Sequence, residues 1–226
     1  MVWILPISTA VLCVASFLLM LRDISEHRDL FQPETESADR ARLLSTAAIV
    51  YCVFMFVLTV GASVLFCTVY ANNGILMSLK RLALLSLMWP IAYIDFKTYR
   101  IPNAFIIFGI MCRAVILALE MFFESQFVRT TLLSELIAAG ALLLASVLCA
   151  LCLRNSIGFG DMKLFLVMGL MLSLDGIWGA VFLSLVASFF ISGYLIITKK
   201  KTRKDAIPFG PAIAIGTYLS VCLSGM

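Results

Sequence analysis

Asp95 closes the run LALLSLMWPIAYID, and Asp161 opens the run DMKLFLVMGLMLSL. A charge beside hydrocarbon costs a few kcal/mol on insertion scales, so ionisable groups at the ends of such runs point to function. If the fold brings these two carboxyl groups together from separate helices, both cannot ionise easily, and one keeps its proton while the other is a base. Such a pair can split water across a peptide bond. The ionised member takes a proton from the attacking water and the protonated member donates to the carbonyl oxygen; the roles exchange as the intermediate collapses, and the pair titrates as a unit. Position alone leaves a structural alternative, in which Asp161 caps a helix start and meets its dipole and Asp95 reaches out to the membrane interface.

The neighbours of Asp161 favour chemistry. It follows Gly158-Phe159-Gly160 and precedes Met162-Lys163, a G-x-G-D-x-K arrangement. Gly158 and Gly160 allow close backbone approach, so this loop can bring a carboxylate and open peptide groups against an extended substrate strand. Without a substrate, the same residues are a flexible turn between two membrane spans. Lys163 either tunes the charge of Asp161 or marks the membrane boundary. Pro102 and Pro208 each precede an apolar run; they either fix how the chain enters it or are ordinary helix starts.

The elements that must position these residues are membrane spans. Of 226 residues, 62% are apolar and 13% charged, against roughly 45–50% and about 25% in soluble domains, which excludes a water-soluble globule. The mean hydropathy of +1.06 agrees. Apolar runs near 1–21, 43–70, 79–95, 103–122, 132–153, 161–174, 176–197 and 208–224 predict an all-α integral membrane protein. It should be a polytopic bundle of about eight transmembrane helices, since about 20 helical residues cross the hydrocarbon core. Residues 22–42 read as a charged, hydrated connection, and Lys80 and Arg81 sit at the mouth of the third span. The first span lacks a basic start and a small-residue cleavage site, so it is expected to be retained.

Basic residues are lopsided between alternate connections. Arg22, Arg28, Arg40, Arg42, Lys97, Arg100, Arg154, Lys163, Lys199, Lys200, Lys201, Arg203 and Lys204 fall in one set; Lys80, Arg81 and Arg129 fall in the other. The positive-inside bias places the first set, and with it Asp95 and Asp161, at the cytoplasmic face and both termini outside. The lipid bilayer is the partner this predicts; the net charge of +4 gives no reason to expect nucleic acid. The seven cysteines lie in apolar stretches and read as buried hydrophobes, and Cys149-x-x-Cys152 lacks a second pair to complete a metal site. No metal and no cofactor are expected. His27 reads as solvated surface, Arg113 as a membrane cation paired within or between helices, with Glu120 seven residues on, and Lys199 to Lys204 as a cytoplasmic anchor.

Three segments together resemble the type IV leader peptidases, or prepilin peptidases, intramembrane aspartic proteases of the G-x-G-D class. They are Asp95-Phe96-Lys97-Thr98-Tyr99-Arg100-Ile101-Pro102-Asn103, Gly158-Phe159-Gly160-Asp161-Met162-Lys163 and Ile207-Pro208-Phe209-Gly210-Pro211. The resemblance covers about 80–224. It implies that Asp95 and Asp161 are catalytic and that Gly158, Gly160, Lys163, Pro102, Asn103, Pro208 and Gly210 line the site. It also implies a substrate: a prepilin or pilin-like precursor, cut between its short basic leader and the adjacent apolar helix. Residues 79–226 then form a six-helix core, preceded by two helices in 1–78. Many members carry a cytoplasmic insertion with two C-x-x-C pairs that bind zinc, and also methylate the new N-terminus. Residues 22–42 contain no cysteine, so the chain looks like the compact, cleavage-only members that serve Flp or Tad-type pili.

Two readings from other classes compete. A small proton-coupled transporter needs helices broken near the midplane, where neither aspartate lies. A secretion-system scaffold would use both aspartates only as interfacial caps. Presenilin-like enzymes share the G-x-G-D, but they carry Pro-Ala-Leu where this chain has Ile-Pro-Phe-Gly-Pro.

Overall fold

The computed structural model describes residues 4–27, 46–152, 158–198 and 207–224. They form helices α1 (Ile4–Glu26), α2 (Thr46–Thr68), α3 (Ile75–Thr98), α4 (Asn103–Phe123), α5 (Ser125–Cys152), α6 (Phe159–Ile197) and α7 (Gly210–Ser224). There is no strand among the described residues. Helices satisfy every interior N–H and C=O within the segment, which hydrocarbon demands. Six of the seven are long and apolar enough to cross a membrane, and α7 is a shorter apolar helix. The chain is an all-α polytopic membrane protein.

Each of the eight expected segments contains helix among the described residues, but the sixth and seventh are joined as α6, which is interrupted at Ser173 (φ 59°, ψ −177°). A straight helix of its 39 residues would run roughly 58 Å, about twice the thickness of the hydrocarbon core. The packing shows that the chain turns back at Ser173. The first arm runs antiparallel to α5, with Leu174 N–H donating to Ser134 Oγ at 3.1 Å and Gly169 pressed on the backbone of Ala138 and Ala139. The second arm runs antiparallel to α7, with Gly179 against Ser220 and Ser184 against Gly216. Small residues allow these close approaches, the usual basis of helix association in lipid.

Helix α3 is the centre of the bundle. Residues 80–92 are buried without a break, so this helix is covered on every side and shows little amphipathic periodicity. Its neighbours bind it through both rings and hydroxyls. Phe17 of α1 stacks on Trp89 with ring centroids 6.2 Å apart; Tyr51 of α2 donates to Trp89 O at 3.0 Å, and Tyr218 of α7 to Leu85 O at 3.0 Å. The outer faces of the other helices carry apolar side chains such as Val11, Phe54, Val57, Phe122 and Phe189, as a lipid-facing surface requires.

Three expectations are corrected by the packing. Lys80 is not at a span's mouth: its side chain is 1% exposed and pairs with Glu135. It lies 3.7 Å from Glu120, and Arg113 lies 2.9 Å from Glu120 and 2.5 Å from Glu135. Two cations and two anions thus neutralise one another between α3, α4 and α5, which gives Arg113 both an intrahelical and an interhelical partner. Cys149 and Cys152 are exposed, unlike buried Cys13 and Cys52, because they sit on the outer face of α5. His27, by contrast, needs no correction: its side chain is 38% exposed, and its Nδ1 lies 3.2 Å from Asp23 O at the end of α1. Finally, α1 runs on to Glu26, into the connection expected to start at residue 22. The rest of that connection, and the Lys199 to Lys204 cluster, lie outside the described residues.

Candidate active site

One end of the bundle gathers the polar residues of three distant segments. Asp95 lies in the last turn of α3 and is 5% exposed. Its Oδ2 accepts a hydrogen bond from Gly210 N–H at 2.7 Å. That N–H belongs to the first residue of α7, where helix geometry leaves backbone donors without internal partners. A Cβ at position 210 would stand 2.7 Å from Asp95 Oδ2 and 2.9 Å from its Cβ, so only glycine lets the helix start come so close to the carboxyl group.

Asp161 occupies the first turn of α6. Its Oδ2 accepts from Gly158 N–H at 3.3 Å, so each carboxyl group is held by a backbone N–H at a helix start, a favourable place for negative charge. The two carboxyl groups interact electrostatically with one another. What brings them together is the fit between loops: a Cβ on Gly160 would lie 3.0 Å from Ile101 Cβ and 3.5 Å from Ile101 N. The backbone ahead of Asp161 therefore rests on the turn that follows Asp95.

Other contacts tie the same segments. Lys163 Nζ donates to Asn103 Oδ1 at 2.9 Å, which joins the start of α6 to the start of α4, and both residues are exposed. Phe165 of α6 meets Phe209, just ahead of α7, edge to face with centroids 6.1 Å apart. Pro102 is buried at the N-cap of α4 with ψ 135°, the extended conformation that starts a helix cleanly. Pro208 is likewise buried, two residues before α7. All nine residues singled out in the sequence, Asp95, Asp161, Gly158, Gly160, Lys163, Pro102, Asn103, Pro208 and Gly210, thus fall within one cluster.

The turn between α3 and α4 carries a feature that the sequence did not single out. Tyr99 caps α3 in the left-handed conformation (φ 54°, ψ 34°), and its N–H donates to Asp95 O at 2.9 Å. Arg100 then reaches across to α1, where its Nη2 bridges both carboxylate oxygens of Asp23, at 2.9 Å and 3.0 Å. Asp23 was hidden in a run of alternating charges, and only its position opposite an arginine across the fold marks it out.

Chemically, this is a pair of interacting carboxyl groups on rigid helix ends, each held through one oxygen by a backbone donor. Such a pair can take a proton from water and give one to a carbonyl. Lys163, exposed and with two further N–H donors beyond the one on Asn103, is the donor free to orient a peptide.

Comparison with known proteins places this cluster in context. The model of the type IV leader peptidase family matches residues 82–197. A prepilin leader peptidase/N-methyltransferase of Bacillus subtilis (strain 168) is 34% identical over 83 residues, 37% of this chain and 33% of that protein. The chain thus matches about a third of that relative's length. No solved structure matches.

Proposed function

The chain belongs to the type IV leader peptidase family, and we propose that it is an aspartic endopeptidase that removes the short basic leader from prepilin or pilin-like precursors. Its dyad is Asp95 and Asp161, working at the cytoplasmic membrane face. The observation that carries this reading is the convergence of residues 95–103, 158–163 and 207–210 on two interacting carboxyl groups.

The mechanism uses water and these two side chains. The ionised aspartate takes one proton from water as its oxygen bonds to the scissile carbonyl carbon. The other aspartate gives its proton to the carbonyl oxygen, which yields a neutral tetrahedral intermediate. On collapse the C–N bond breaks. The amine nitrogen takes the proton held by the first aspartate, the hydroxyl returns its proton to the second, and the dyad is restored. The Gly210 and Gly158 N–H groups keep the carboxyl groups at fixed separation, as positioning catalysis requires. A precursor suits this placement: its leader is basic and cytoplasmic, and the bond to be cut lies just before an apolar helix, at the end of the bundle where the dyad stands.

The positive-inside bias supports placing the dyad end in the cytoplasm and both termini outside. In this reading residues 79–226 are the catalytic core and α1 and α2 buttress it. Methyl transfer is left out of the proposal, because residues 22–42 have no cysteine with which to build the zinc-bearing insertion.

The test is a cleavage assay on purified protein in detergent or liposomes, with a pilin precursor from the same genome and the product mass read directly. Wild type should release the leader and leave a mature product without an added methyl group. Failure of folded wild type to cut any cognate precursor would move the reading to a transporter or a scaffold.

A further inference from the structure

Nothing in the family match reaches α1, since it begins at residue 82, yet α1 holds the turn behind Asp95. We propose that Asp23 is a positioning residue for the dyad: through Arg100 it fixes the Tyr99–Pro102 turn on which the Gly158–Asp161 loop rests. The catalytic part of this inference rests on the leader-peptidase reading; the clamp itself does not.

Four observations carry it. First, Asp23 is 7% exposed, and the Arg100 guanidinium spans both its oxygens, so this differs from a solvated surface pair, which contributes roughly 0–1 kcal/mol. Second, Tyr99 is held at positive φ (54°), a conformation that costs a β-carbon-bearing residue on the order of 1 kcal/mol and persists where the surroundings enforce it. The clamp grips the very next residue. Third, Ile101, one residue further, is the surface against which Gly160 packs. Fourth, the Tyr99 N–H donates to the backbone carbonyl of Asp95, the residue that carries the carboxyl group. The path from Asp23 to both catalytic carboxyl groups is therefore short, contiguous and built of strained or tightly packed contacts. The other groups near Asp23 are His27, with Nδ1 3.6 Å from its Oδ1, and the exposed Arg22–Glu26 pair one turn along the same helix; neither reaches the turn.

The test compares wild type, Asp23→Asn, Arg100→Gln and the double variant, using hydrogen exchange of the peptides spanning 96–104 and 158–165 together with cleavage kinetics. If Asp23 and Arg100 act as one clamp, each single variant speeds exchange at Tyr99 and Ile101 and in the 158–161 loop. Exchange across α5 and α7 stays at the wild-type rate, and the double variant loosens the turn no more than either single one, the signature of coupled residues. Cleavage should lose about 10- to 100-fold in kcat with KM nearly unchanged, the scale expected when reacting groups are displaced by about 1 Å. Exchange at Tyr99 and Ile101 equal to wild type in Asp23→Asn, or losses that simply add in the double variant, would overturn the clamp. If the exchange pattern holds but wild type cleaves no precursor, the clamp stands and only the leader-peptidase reading falls.

Discussion

At the scale of single residues, the site is defined by what the two carboxyl groups can exchange and by what stands beside them. Asp95→Asn and Asp161→Asn keep the shape and remove the proton chemistry. Each should therefore lower kcat/KM by at least about 10²- to 10⁴-fold while membrane insertion and thermal stability stay near wild type; a precursor-cleavage assay beside a melting curve reads both. Gly210→Ala makes a sharper point, since it leaves both carboxylates in place. Its new methyl group would fall 2.7 Å from Asp95 Oδ2, so Asp95 or the start of α7 must shift, and activity should fall about 10-fold or more by the same positioning argument. Unchanged turnover in Gly210→Ala would mean that the Gly210 N–H does not set the position of Asp95. The aspartates were legible in the sequence because a carboxylate at the edge of an apolar run is an exception that hydrocarbon enforces. Asp23 was not legible. It sits among Arg22, Glu26, His27 and Arg28, where a charge is ordinary, and its partner Arg100 is brought to it only by the fold.

At the scale of elements, the turn at Ser173 decides whether the first arm of α6 delivers Asp161 to the same end of the bundle as α7. Ser173 holds a backbone conformation (φ 59°, ψ −177°) that is essentially reserved for glycine, and its buried hydroxyl has no hydrogen-bond partner. Ser173→Gly should therefore stabilise the protein by about 1 kcal/mol or more, seen as a higher melting temperature in detergent, whereas Ser173→Ala removes only the unpaired hydroxyl, keeps the backbone strain and should stabilise less. Gly169→Ala should act in the opposite sense. Its Cβ would meet the Ala139 backbone at 2.5 Å, where no side chain can yield, so a loss of roughly 1–3 kcal/mol is expected on the same melting curve. Apolar run length made the helices legible, and the interruption LSLDG marked the break between the sixth and seventh segments. That α6 continues through this break without a loop depended on Ser134 accepting the freed Leu174 N–H, a contact between residues 40 positions apart that no local pattern reveals.

At the scale of the whole molecule, the bundle has one end where Asp95 and Asp161 converge and, toward the other, a region pinned by buried charge. Lys80 and Asp95 stand on the same helix, 15 residues and so about 22 Å apart. Lys80, Arg113, Glu120 and Glu135 are at most 7% exposed and join three helices into a neutral quartet. Removing one member leaves a charge without its counter-ion. Lys80→Met should therefore cost about 3–5 kcal/mol, while Lys80→Met with Glu135→Leu should cost less because the remaining Arg113 and Glu120 still balance; thermal unfolding of both variants checks this. From sequence, Lys80 looked like a boundary residue, because its partners lie 40 and 55 positions away. The central claim for the molecule is that the two aspartates hydrolyse a peptide bond by activating water without a covalent intermediate. The direct measurement is a single turnover of a pilin precursor in heavy-oxygen water, with mass analysis of the released leader and of enzyme peptides containing Asp95 and Asp161. One heavy oxygen in the leader's new C-terminal carboxylate, and none in either aspartate, is the predicted result. Label in Asp95 or Asp161, or a leader released without label, would contradict it.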